Sequence, residues 1–353
     1  MPTEPSHHLI IAFASCSAPE WATAMKALAP GSLKNLEKLL QGMKPLTIET
    51  GTAEALSMPH ERVLARELGL KADSLGAPHG LIPWAALQAS QRDAGAASAE
   101  SASPGKAWAF VAPCHWAMGR EHATLTDPAA LALTAAESQS LMAAMQPYFA
   151  GDGVALSYAA PDTWLAEGEL FRTVPTASLE RVLGRNVDAW LPAAQSPQTK
   201  TLRRLQNEMQ MLLYTHPLND ARSVRRQQTV NSIWISGTGA LDGAALPSGA
   251  ASSAGLNLAK DLASPVMTDD WAAYASAWQA LDAGPIAALL AVQSGTSSSA
   301  QKAGKGIKQA VSLTLCSETS AQTFTTAPPG LKSRISSLLA PQRPIYLLAQ
   351  LSK

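Results

Sequence analysis

The sequence predicts an α/β fold in which a largely parallel sheet is flanked by helices. Short continuous apolar runs stand at His8–Phe13 and Ala107–Pro113, as strands covered on both faces require, and Val311–Cys316 reads as a further buried strand. Between them lie segments with helical periodicity, and strands alternating with helices argue for α/β layering. Hydrophobic residues make up 46% of the 353 positions and charged ones only 15%, so there is apolar material for a large buried core.

Taken in order, His8–Phe13 is the first strand. Its end, reading through Ala14-Ser15-Cys16, is faintly similar to a lipoprotein leader, but it lacks preceding Lys or Arg and is short, so a buried strand is the expectation. Helices follow at Pro19–Leu28, Leu33–Leu40 and Pro59–Leu68, the last opened by Pro and closed by Gly69. Leu81–Leu87 is an apolar packing segment. Ala107–Pro113 is the strongest strand, delivering Cys114-His115-Trp116 at its end, where open α/β sheets bind ligands. Thr134 and Glu137 stand at capping-box spacing before a helix over Ala135–Phe149. Strands are expected at Val154–Ala159 and, antiparallel to it, Thr163–Leu165, with a short helix at Ser178–Leu183. Asp269 opens a helix that Gly284-Pro285 should break, and Ile345–Leu351 reads as a last strand. Residues 89–106, 242–255 and 294–306 are rich in Ala, Ser and Gly and read as flexible loops. With no repeat of fixed period, residues 1–353 read as one large domain with room for a smaller inserted lobe around 107–200.

The densest polar stretch is Leu202–Gly239. Its first half is a helix with Leu202, Leu205, Met209, Leu212 and His216 near one face, stopped at Pro217. Asn219, Asp220 and Arg222 then suit a turn. Val230–Ser236 follows as a strand ending in Gly237-Thr238-Gly239, a weak candidate for an anion-cradling turn. Asn207 and Gln210 share a helix face that could line a pocket or cap neighbouring loops. Lys200, Arg203, Arg204, Arg222, Arg225 and Arg226 form a basic cluster that could hold a phosphate or be a solvated edge.

Zero net charge and no aromatic interleaving argue against nucleic acid, and no apolar run approaches the roughly 20 residues that span a bilayer. Cys16, Cys114 and Cys316 are far apart, without CxxC, and read as reduced thiols in a cytoplasmic protein. None of the seven histidines forms HxxxH, HExxH or Asp-His, so no metal site and no cofactor is expected. Cys114 beside His115 invites a nucleophile reading, but neighbours at a strand end point apart, so a buried thiol beside a loop histidine is expected.

The segments LRRLQNEMQMLLYTHPLNDAR and VNSIWISGTG, with WAFVAPCHWAMGREH upstream and ASAWQALDAGP downstream, resemble the RpfE-type regulatory protein family of proteobacteria. More distantly, VNSIWISGTG and Lys34-Asn35-Leu36-Glu37 are similar to segments of archaeal-type cofactor-independent phosphoglycerate mutases and the wider alkaline phosphatase superfamily. The resemblance implies an alkaline-phosphatase-like scaffold. In that superfamily the first strand ends in a metal-binding Asp; here it reads Phe13-Ala14-Ser15-Cys16, and the late strand Ser312–Glu318 carries no Asp-His pair, so the metal site is degenerate. Ser15, Ser17 and Ser32 are candidate nucleophiles without ligands to activate them, and no catalytic residue is assigned. The expected function is a non-catalytic regulatory or ligand-binding protein for a phosphorylated metabolite or a protein partner. The alternatives are an active cofactor-independent mutase or phosphotransferase, and an interaction scaffold. His115, Asn207, Gln210, Arg222, Asn231 and Trp234 are the candidate ligand-binding residues.

Overall fold

The computed structural model describes residues 7–70, 80–95, 105–241, 255–295, 310–326 and 344–351. His79, residues 96–104 of the first expected loop and nearly all of the other two lie outside them. In chain order the elements begin with β1 His7–Ile11, α1 Pro19–Ala27, α2 Lys34–Gln41, β2 Met43–Thr50, α3 Pro59–Glu67 and α4 Trp84–Gly95. Then come β3 Ala107–Cys114, β4 Trp116–Met118, β5 Ala123–Leu125, α5 Ala135–Gly151, β6 Ala155–Ala160, β7 Thr163–Glu167 and α6 Leu179–Val182. The chain continues through α7 Pro197–Tyr214, α8 Pro217–Val224, β8 Ser232–Ala240, β9 Leu256–Ala259, α9 Ala263–Met267, α10 Trp271–Leu281 and α11 Ala287–Ser294. The last are β10 Val311–Cys316, β11 Ser320–Thr326 and α12 Pro344–Leu351. Contacts divide the chain into two units: Met1–Glu54 with Pro59–Leu68 and Pro247–Lys353, and Ala55–Met58 with Gly69–Leu246.

The first unit holds a five-stranded sheet in the order β2-β11-β10-β1-β9. Only β10, β1 and β9 run parallel; β11 is antiparallel to β10, and β2 to β11. The sheet is therefore mixed, not largely parallel as expected. The cause is local: three residues separate β10 from β11, and a turn that short can only return the chain antiparallel. Ile10, Val63, Cys316 and Ala321 pack together between the sheet and α3.

Where β1 ends, the backbone turns sharply, with Phe13 at φ +54°, a left-handed conformation costly for a bulky residue. Tyr274 holds it there. Its buried hydroxyl donates toward the carbonyls of Phe13 (2.9 Å) and Ala14 (3.0 Å) and accepts from the Trp21 indole (3.0 Å). Burial pushes the phenol well above its ordinary range, so it stays a donor.

The expected break at Gly284-Pro285 is absent. A π turn over Asp282–Ile286 absorbs the proline, and the helix runs on to Ser294. The turn aims the buried Asp282 carboxylate at the start of α2, accepting from the N–H groups of Asn35 (3.2 Å) and Leu36 (2.8 Å). The Asn35 amide donates back to the Asp282 carbonyl (3.0 Å). Trp271–Ser294 is thus one 24-residue helix, long and apolar enough by length and composition to cross a bilayer. That too differs from the sequence reading, which took the run as broken. Tyr274, Trp278, Leu281 and Ile286 lie buried along it. Ile345–Leu351, expected as a strand, is helix α12: Leu347, Leu348 and Leu351 are buried at helical spacing, which a short apolar run does not distinguish from a covered strand.

The second unit carries a four-stranded sheet, β6-β7-β3-β8, antiparallel at every pairing. Strand alternation sorts β3 into two faces. Ala107, Ala109 and Val111 join α5 and α7 in the main core with Met145, Phe149, Leu205 and Met209, while Trp108 and Phe110 pack beside Ala85 and Ala89 of α4. β3 is therefore no parallel strand opening onto a crevice. Its end passes through His115 into the β4–β5 hairpin. The capping box at Thr134 and Glu137 is present, and β6 pairs antiparallel with β7 as expected.

Tyr274→Phe should destabilise the protein by about 1–3 kcal/mol, since it strips two buried carbonyls of their donor and a buried indole of its acceptor. A urea denaturation midpoint indistinguishable from wild type would show that the hydroxyl does not hold the turn.

Candidate functional site

Helix α7 and strand β8 carry most of the polar residues singled out in the sequence. Ser196 caps α7 in a reciprocal box with Thr199, and Pro197 fills the first turn, where its missing N–H costs nothing. The helix ends at Tyr214. Pro217 does not stop it; it opens α8, with His216 Nδ1 accepting from the Leu218 N–H as the cap. Asn219, Asp220 and Arg222 thus sit on a helix rather than in a turn.

One face of α7 is sealed. Leu202, Leu205, Met209 and Leu213 are in the core, and two amides tie the helix to β8. Gln206 Nε2 donates to the Ile233 carbonyl (2.8 Å) and Gln210 Nε2 to Ser232 Oγ (3.1 Å). Gln206 escaped the sequence reading; its spacing from Leu202 and Met209, on the buried stripe, was the available signal.

The outer face is open. Lys200, Arg203, Arg204, Asn207, Glu208 and Met211 line a groove of about 700 Å³, walled by Tyr148 of α5. Arg204 donates to both oxygens of Asp152 (2.5 and 2.7 Å) and to Glu208 (2.8 Å), so the two carboxylates that converge here do so on a guanidinium. Arg203 reaches the Pro192 carbonyl at 3.3 Å. Lys200 and Asn207 are exposed, and their side chains make no hydrogen bond or ion pair among the described residues. Met211 is 71% exposed and Tyr148 43%.

The other candidates are drawn into the fold rather than to this groove. Arg222 is fully buried, donating to the carbonyls of Gln228 (2.8 Å) and Leu131 and pairing with Glu137 (3.1 Å). Asn231 mimics a strand partner, accepting from the Trp116 N–H (2.7 Å) and donating to its carbonyl (3.0 Å). The buried Trp234 indole donates to the Ala177 carbonyl (3.0 Å), and His115 Nδ1 lies 2.8 Å from the Thr229 carbonyl. The basic cluster is split: Arg225 joins Arg222 on Glu137, away from the α7 cations. Gly237 and Gly239 form no loop. They lie within β8 at φ +62° and +136°, beside a register shift against β3, and a Cβ on Gly237 would come 2.7 Å from the Phe110 ring.

At the end of β1, the Ser15 hydroxyl is fully buried, and Glu318 accepts from the Ser17 N–H (3.1 Å) and hydroxyl (2.7 Å). Burial first, then Glu318, Asp269 and Glu20 push the Cys16 thiol up to about 11. Cys114 and Cys316 are also raised by burial. Within either unit taken alone, no three His, Cys, Asp or Glu ligand atoms lie within 4.8 Å of one another among the described residues.

No family model matches the sequence, and no curated protein does. Among solved structures, a cofactor-independent phosphoglycerate mutase from Thermoplasma acidophilum DSM 1728 is 12% identical with a TM-score of 0.33, over 98% of this chain and 100% of that one. The PH0037 protein from Pyrococcus horikoshii is 9% identical with a TM-score of 0.44, over 99% of this chain and 97% of that one.

Arg222→Ala should cost about 3–5 kcal/mol by urea denaturation, because it strips the Gln228 and Leu131 carbonyls of their donor and empties a fully buried site, whereas Asn207→Ala should stay within about 0.5 kcal/mol. Burial alone would raise Glu137, but the Thr134 backbone N–H and then Arg222 outweigh it and hold the carboxyl below its ordinary 4.5. Its stabilisation is therefore complete above that pH and is lost as pH falls through the lower folded value; Arg222→Met should flatten this acid-side slope. None of the three thiols should react with a thiol reagent at pH 7 in the native protein, a count read by mass spectrometry.

Proposed function

We propose that this chain is a non-catalytic binding protein for a phosphorylated metabolite, with the α7 groove of the second unit as its binding face. The observation that carries the reading is charge placement. Lys200, Arg203 and Arg204 line one groove, and opposing Asp152 and Glu208 neutralise only part of that charge. At the turn after β1, by contrast, Glu318, Asp269 and Glu20 lie close enough to Cys16 to raise its thiol. A phosphate monoester carries about −1.5 to −2 charges at pH 7, so the first surface attracts it and the second repels it.

Of the six residues expected to bind ligand, this assigns Asn207 the direct contact. His115, Gln210, Arg222, Asn231 and Trp234 act by holding α7, α8 and β8 in place. The RpfE-type resemblance supplies the regulatory role, in which occupancy of the groove reports metabolite level. We assign the protein to the cytoplasm, where its three free thiols stay reduced, with no nucleic-acid or membrane partner and no cofactor.

Equilibrium binding of 3-phosphoglycerate by calorimetry tests the reading. Binding should weaken by about tenfold in Lys200→Ala combined with Arg203→Ala, and should fall steeply with added salt. Turnover of 3-phosphoglycerate with Mn²⁺, abolished by chelator, would establish the mutase alternative instead.

A further inference from the structure

Resting on that assignment of the groove, we propose that its ligand is a phosphate monoester bearing a flat aromatic group, the chemistry of a nucleoside monophosphate. The groove is polarised along α7. Its cations sit on the first turns and its apolar wall, Met211 and Leu212 with Tyr148 opposite, two turns later. At about 1.5 Å of rise per residue, Arg203 and Arg204 are roughly 11–12 Å along the axis from Met211 and Leu212. Asn207 lies between, with one carbonyl acceptor and two N–H donors free to read a hydroxyl or the edge of a base.

Volume and surface chemistry decide between ligand classes. At about 700 Å³ the groove has far more room than an orthophosphate or a three-carbon phosphate acid would fill. A small polar acid seated on the cations would leave the Met211 thioether and the Tyr148 ring in water. A planar base continues along the helix from the phosphate and covers both, gaining ring stacking and sulfur–aromatic contact. The phosphate then lies over Lys200 and Arg203, whose charge is not cancelled by a carboxylate as that of Arg204 is.

Calorimetry on the full chain with AMP, adenosine, 3-phosphoglycerate and orthophosphate tests this. AMP should bind about tenfold more tightly than each of the other three. Lys200→Ala should weaken AMP and 3-phosphoglycerate alike, by about fivefold, while Met211→Ser should weaken AMP by about threefold and leave 3-phosphoglycerate unchanged. Both residues are exposed, so neither change threatens folding. If 3-phosphoglycerate matches AMP and Met211→Ser is silent, the aromatic ligand is wrong and the phosphate-binding groove stands. AMP binding indifferent to both substitutions would place its site elsewhere and overturn the inference. Failure of every phosphate compound to bind would remove the groove assignment as well.

Discussion

The rotation of α7 about its own axis is fixed by two amides. Gln206 and Gln210, four residues apart, reach the backbone and a hydroxyl of β8, while Leu205 and Met209 fill the core between sheet and helix. Once that face is fastened, the remaining residues have no freedom to choose theirs: Lys200, Arg204, Asn207 and Met211 must point outward. A one-residue slip of the helix would bury Asn207 and expose Met209. The groove's chemistry is thus a consequence of hydrogen bonds on the opposite side of the helix, and those depend on β8 being a continuous strand through Ser232 and Ile233.

The supporting layers follow the same logic of buried polar groups finding partners. Asn219 closes the α8–β8 connection by donating to the carbonyls of Leu213 and Val230 and accepting from the Val230 N–H. Arg222 satisfies two carbonyls and one carboxylate with a single guanidinium. In the first unit, Tyr274 and Asp282 lie on one helical run and do comparable work at the β1 turn and the α2 start. Loss of either partner would leave a charge or carbonyl in an environment that does not solvate it. Residues that looked like chemistry in the sequence therefore hold the backbone, and the chemistry falls to what they leave outside.

The sequence made the helices legible because their apolar stripes and caps are local: Pro59 and Gly69 bracketing α3, Thr134 with Glu137 opening α5. Strand direction was not legible, since Ala107–Cys114 reads as a covered strand whether its neighbours run parallel or antiparallel. Strand β2 escaped notice for a related reason. It lies at the sheet edge with Leu46 and Ile48 exposed, so burial imposes no pattern on it. Pro217 and Pro285 misled because proline is compatible with a first turn and with a π turn, and only the surrounding packing chooses. As for the site, Asn207 and the α7 cations could be seen, while Arg222 and Asn231 could not be told from ligand contacts: a buried hydrogen bond and a binding contact call for the same side chains.

The deciding question is where on the protein a phosphate monoester sits. A crystal of the protein soaked with AMP reads this directly. Density for the phosphate against Lys200 and Arg203, with the base over Met211 and Tyr148, is the predicted result. A phosphate bound instead at the turn after β1, beside Ser15 and Ser17 with Glu318 displaced, would contradict it.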